Sequence, residues 1–253
     1  MARSRQEPPA DARREPLDLH GYLAESRRVS VSLVLVAPLF VFYELALRVA
    51  GSDLRNSAEM AVKKLFWYLG PGAAYVHAFL VLVILAAGHR VVVRRIPIHR
   101  LLLPFLVECC LLAVLLGPVV AGLADILPLF ARSGPEHPPL GWSLLASLGA
   151  GLYEELVFRL ILLGGLYMLL RHLMRLRRGL SLAVALLVSA LLFSGYHHLG
   201  PFGEPFDGRA FAFRAAAGIL LGLVFAWRGL GVVVYLHAIY DVLYDLRQAA
   251  WLE

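Results

Sequence analysis

About seven stretches of 20 or so mostly apolar residues, each long enough to cross a bilayer, divide this chain. They run near 29–50, 72–93, 101–127, 141–171, 180–199, 209–228 and 230–250. In hydrocarbon every backbone N–H and C=O must be bonded internally, which leaves the helix as the structure open to runs of this length. Composition agrees: of 253 residues 60% are apolar and 17% charged, with a mean hydropathy of +0.72, against about 45–50% and about 25% in soluble domains. The chain is therefore expected to be an all-α, polytopic membrane bundle over 29–253, preceded by a polar, cytoplasmic N-terminal arm at 1–28 that has no signal-peptide pattern. A soluble enzyme, a disordered tail protein and a disulfide-rich secreted module are excluded. The net charge of +6 does not point to nucleic acid, because the arginines flank the apolar runs as positive-inside topology requires.

Arg3, Arg5, Arg13, Arg14, Arg27 and Arg28 precede the first run, Arg90, Arg94, Arg95 and Arg100 separate the second from the third, and Arg171, Arg175, Arg177 and Arg178 separate the fourth from the fifth. These are alternate connections and fall on one side, the cytoplasmic one, which puts the N-terminus in the cytoplasm. The links at 128–140 and 200–208 are nearly free of Lys and Arg, as outside links should be. Residues 54–70, with Lys63 and Lys64, have the pattern of an amphipathic interfacial helix. Cys109 and Cys110 are adjacent and too few for a disulfide framework or a Cys-based zinc site, so they are read as helix packing.

Ionisable residues at membrane depth are costly and need partners. In GLYEELVFR, Glu155 and Arg159 share a helical face in the favoured order for an ion pair, while Glu154 is rotated by about 100° from Glu155. One carboxylate is thereby tied down and Glu154 is left to do chemistry. Phe193 and His197 in FSGYHHLG, and His237 and Asp241 in LHAIYD, are again four apart. Glu44 with Arg48 reads as a structural pair, Glu108 stands alone, and Asp125 falls near the outer boundary. Any one motif is also what helix packing produces, but together they supply a general base and polarising donors.

Glu154-Glu155-x-x-x-Arg159, Phe193-x-x-x-His197 and His237-x-x-x-Asp241, in that order, resemble the three motifs of the CPBP family, the Abi or CAAX-protease-like intramembrane proteases related to the type II CAAX prenyl endopeptidase. The resemblance covers roughly residues 141–245. It implies that Glu154 activates a water with help from His197, that His237 and Asp241 bind the developing oxyanion or complete the site, and that Glu155, Arg159 and Phe193 support it. A carboxylate desolvated among apolar helices is a stronger base than in water, and imidazoles in a low-dielectric site stabilise a tetrahedral intermediate. The best-studied members carry Asn where this chain has Asp241; an ionised Asp would repel an oxyanion, so Asp241 is expected to be protonated or to orient His237.

The resemblance implies an intramembrane endopeptidase of glutamic type, acting on a membrane-anchored or membrane-embedded peptide or protein in the lipid of a prokaryotic cell membrane, with no nucleic-acid partner. Glu154, His197 and His237 are also the ligand set of a catalytic zinc site, but the chain lacks an HExxH helix, so no cofactor is expected and zinc is the alternative. A non-catalytic scaffold or immunity-type protein on the same fold is the competing reading. A proton-relaying transporter lacks the inverted repeat it would need. Span-end counting places Glu154, His197 and His237 at different depths, so a single site requires irregular helices, for which Gly149, Gly151, Gly195, Gly229 and Gly231 offer places.

Overall fold

The computed structural model describes residues 18–50, 73–126, 140–199 and 203–250. These form α1 (Leu19–Ser26), α2 (Val29–Ala50), α3 (Ala73–Val93), α4 (Ile98–Ile126), α5 (Leu140–Leu173), α6 (Arg178–Tyr196), α7 (Gly208–Arg228) and α8 (Leu230–Ala250), with no strand among the described residues. The interfacial helix expected at 54–70 and most of the 128–140 link lie outside them. Within the arm, residues 19–26 are helical, started by Asp18, whose Oδ1 accepts the Gly21 N–H at 2.8 Å.

The protein is an all-α integral membrane protein. Val29–Val49, Ile98–Val120, Leu140–Leu173, Arg178–Tyr196 and Gly208–Arg228 are long and apolar enough to span. The apolar part of α3 over Ala78–Val93 is shorter, and α8 forms over the expected range without being among the long apolar helices. The reason lies in its place: α8 packs against α2, α4, α5 and α7, so its His237, Asp241 and Asp245 meet protein. Its first nine residues are almost all buried. Outer helices turn Leu103, Leu111 and Leu115 of α4 and Leu187 and Leu191 of α6 outward, as faces bathed in lipid do.

The expectation that Glu108 stands alone is wrong. Arg228, fully buried at the end of α7, donates from Nε to Glu108 Oε1 at 2.5 Å and from Nη2 to Oε2 at 2.8 Å. The same guanidinium reaches Ser26 Oγ at 2.8 Å and the Leu23 carbonyl at 3.2 Å, and the Tyr22 hydroxyl donates to Glu108. Burial and the neighbouring Glu108 carboxylate push the Tyr22 hydroxyl well above the usual tyrosine range, so it remains a donor. This polar knot docks α1 onto the α7–α8 turn. The turn is Gly229, at φ +86°, a left-handed conformation that L side chains rarely adopt, and a Cβ there would sit 3.2 Å from the Arg27 carbonyl.

Glu44 accepts a hydrogen bond from the Tyr153 hydroxyl at 2.7 Å, tying α2 to α5. Cys109 is buried and Cys110 exposed, both as free thiols.

Candidate active site

The irregularity that a single site requires is in α5. From Ala150 to Leu163 its backbone is wound as a π-helix, ending with the Gly164 N–H on the Arg159 carbonyl, five residues back. Helices of this kind are concentrated at functional sites. Gly151 lies in this stretch, against α8: a Cβ there would come within 2.6 Å of Ala238 Cβ and 2.7 Å of its backbone nitrogen. Only glycine permits that approach, and it brings Glu155, the second carboxylate of the first motif, to His237 of the third. Gly195, by contrast, runs through α6 without a break.

Glu155 is fully buried and doubly engaged: Oε1 lies 2.6 Å from His237 Nδ1, and Oε2 lies 3.1 Å from Arg159 Nε. The expected Glu155–Arg159 pair is thus present, with a second cross-helix partner that spacing along one helix does not reveal. His237 Nε2 lies 3.2 Å from Asp241 Oδ2, one turn on. The imidazole therefore stands between two carboxylates from two helices.

Glu154, also buried, faces elsewhere. Its Oε2 lies 4.0 Å from Nε2 of His197, the residue that ends α6. His197 Nδ1 lies 2.8 Å from the Phe193 carbonyl, and since a carbonyl only accepts, Nδ1 carries a proton and Nε2 is the nitrogen turned toward Glu154. The Phe193 ring packs edge-on against both histidines, 5.0 Å from His197 and 6.3 Å from His237 between centroids, and its face carries the Arg159 guanidinium at 4.3 Å. Ser189 Oγ donates to the Phe158 carbonyl at 2.6 Å, fastening α6 to α5 beside this cluster.

Glu154, His197, His237, Asp241 and Phe193 line one cavity of about 280 Å³. The four expected catalytic side chains are thus brought together, with Glu155 and Arg159 behind them. Sequence reasoning missed Arg209 and Arg214, which line the same cavity from α7. Arg214 is a cation inside an apolar run, FAFRAAAG, the signal that singled out the other motifs.

The fit of these residues to zinc is poor. Among the described residues no group of three His, Cys, Asp or Glu is placed to hold a metal ion. Of the set Glu154, His197 and His237, the last has each ring nitrogen against a carboxylate oxygen, so it turns no lone pair to a shared ion.

Residues 136–243 match the family described as type II CAAX prenyl endopeptidase Rce1-like. No curated protein and no solved structure matches the chain. The matched stretch begins shortly before α5 and ends two residues past Asp241, so it takes in every motif residue, and over these residues the match supports the CPBP resemblance and a CAAX-type intramembrane protease fold.

Proposed function

We propose that the protein is an intramembrane endopeptidase of glutamic type, hydrolysing a peptide bond of a membrane-embedded or lipid-anchored substrate. One observation carries the reading: Glu154 and His197 face each other at 4.0 Å on one cavity while Glu155 is held by Arg159 and His237. A water about 2.8 Å from both groups spans a gap of that width, donating one hydrogen bond to the Glu154 carboxylate and one to His197 Nε2, with His197 in its Nδ1–H form, and keeping both protons until attack. Glu154 takes a proton as the water oxygen bonds to the scissile carbonyl carbon and the carbonyl π pair moves to oxygen. Collapse of that intermediate breaks the C–N bond, and the proton held by Glu154 passes to the leaving nitrogen.

His237 supplies the opposing charge. Donating from both ring nitrogens it is an imidazolium, and its charge at the cavity wall stabilises the oxyanion. Asp241 orients it, which is the second of the two roles its carboxylate allows. The Arg-bearing links and arm support a cytoplasmic N-terminus in a prokaryotic cell membrane, an orientation in which the α6–α7 end of the cavity lies toward the outer side.

The purified full-length protein, assayed on a membrane-anchored peptide substrate after dialysis against a strong chelator, tests the chemistry. Cleavage is expected to survive chelation and to fall by at least about 10²-fold in Glu154→Gln. A loss restored by zinc overturns the glutamic assignment, and full activity in Glu154→Gln overturns Glu154 as the base.

A further inference from the structure

His197 caps the C-terminus of α6, and a helix end leaves its last carbonyls without intrahelical partners. Four of them are met locally. The Phe193 carbonyl accepts from the His197 ring at 2.8 Å, and the carbonyls of Ser194, Gly195 and Tyr196 accept the N–H groups of His197, His198 and Leu199 at 3.3, 3.0 and 3.1 Å. The carbonyl of His197 itself is met from beyond the helix, by the Glu204 N–H at 2.9 Å. The Glu204 carbonyl in turn lies 3.3 Å from His198 Nδ1. Both polar groups of the Glu204 backbone are thus spent on the end of α6.

Its carboxylate is held by α7. Arg214 stands inside an apolar helix, where a cation requires a partner, and its Nη2 alone lies 2.8 Å from Glu204 Oε1 and 2.7 Å from Oε2. The same face of α7 is fixed to α6 one turn earlier, where Ser194 Oγ donates to the Phe211 carbonyl at 2.6 Å and the Phe211 ring stacks on His198 at 6.2 Å. A chain of contacts therefore runs from Arg214 through the Glu204 carboxylate and peptide to the backbone of His197, whose Nε2 lies 4.0 Å from Glu154. The ion pair contributes little to folding: the Glu204 side chain is 42% exposed and that of Arg214 22%, and pairs this open to solvent add little stability. Its value lies in geometry, since a displacement of about 1 Å at a reacting group can cost about 10²-fold in rate.

We infer that Arg214 is a positioning residue: by holding Glu204 it fixes the end of α6 and keeps His197 at its distance from Glu154. The inference rests on the endopeptidase reading and adds to it a residue that acts on the reaction through His197.

Two measurements on the full-length protein in detergent test it. Amide hydrogen exchange, read by mass spectrometry with no substrate present, is expected to be about ten-fold or more faster over 197–206 in Arg214→Met and in Glu204→Ala than in wild type, while exchange over 181–192 and the unfolding temperature stay as they are. Glu204→Ala keeps the backbone N–H and leaves α7 intact, so the comparison stands even where Arg214→Met does not fold. Arg214→Lys is expected to recover most of the protection, because one amino group makes both contacts in the wild type. The second measurement is cleavage of an acyl-anchored peptide spanning a Glu154-dependent cut. Arg214→Met is expected to lower kcat about ten-fold with KM within about two-fold of wild type. In a His197→Ala background the same change should cost less than about two-fold, because the residue through which it acts is gone; a purely structural role would cost the same in both backgrounds.

Unchanged exchange over 197–206 in both Arg214→Met and Glu204→Ala overturns the inference, and so does an equal loss of kcat in the two backgrounds. A Glu154-dependent cut with wild-type kcat in both variants overturns this inference alone. Faster exchange in the variants, with no Glu154-dependent cut by the wild-type protein, overturns the endopeptidase reading and leaves Arg214 as the residue that holds His197.

Discussion

Glu155 Oε1 lies 2.6 Å from His237 Nδ1, and this contact between α5 and α8 decides which of two adjacent carboxylates faces His197. Held on its other oxygen by Arg159, Glu155 belongs to the scaffold of the site. Its neighbour, one residue earlier, is presented to the cavity.

Substituting the two glutamates should therefore give opposite profiles. Glu155→Gln leaves the buried Arg159 without its counter-charge and is expected to cost about 3–5 kcal/mol of stability, read as a lowered thermal unfolding temperature in detergent. Glu154→Gln is expected to leave that temperature within a few degrees of wild type while removing hydrolysis. Equal destabilisation by both changes would contradict the division of roles.

Asp241 is predicted to act through His237. Asp241→Asn retains an oxygen 3.2 Å from Nε2 and is expected to keep activity within a few-fold. Asp241→Ala lets the ring turn and should lose about ten-fold or more in kcat with a smaller effect on KM. If Asn is as damaging as Ala, the charge and not the orientation of Asp241 is what the site needs.

Gly151 sets the distance between α5 and α8. Gly151→Ala places a methyl group 2.6 Å from Ala238 Cβ, which must be relieved by shifting one helix. Overpacking of this kind costs about 1–3 kcal/mol, and the shift separates Glu155 from His237. Activity is expected to fall more steeply than stability; a Gly151→Ala protein with wild-type kcat would contradict the close-approach argument.

At the far end of the bundle, Arg228 and Glu108 form a buried pair that a double-mutant cycle can isolate. Removing Arg228 or Glu108 alone is predicted to destabilise by about 3 kcal/mol or more, because each leaves the other charge unpaired. Removing both should cost clearly less than the sum of the single changes. Additive effects, measured by thermal unfolding in one detergent, would show that the two residues do not couple.

The extent of each apolar segment was legible in the sequence because the bilayer dictates it: α2 and α8 form over the expected residues, and the other helices begin and end within a few. Within one helix, spacing was equally informative, as Glu155 with Arg159 and His237 with Asp241 both show. Contacts between helices were not. Arg228 and Glu108 are 120 positions apart, and nothing in periodicity pairs them. The π-helical winding of 150–163 was also invisible, since it accompanies the packing of Gly151 on Ala238 rather than any local preference. Arg214 could have been found by the same rule that picked out Glu154, a charge in an apolar run; its place in the cavity needed the fold.

The central claim, that Glu154 activates water for peptide hydrolysis, is tested most directly by comparing new protein termini in membranes of cells carrying the wild-type protein with those carrying Glu154→Gln at matched expression. The account predicts termini that arise with the wild type alone, within or at the boundary of a membrane segment. Identical termini in the two, with both proteins folded and present in the membrane, would contradict it.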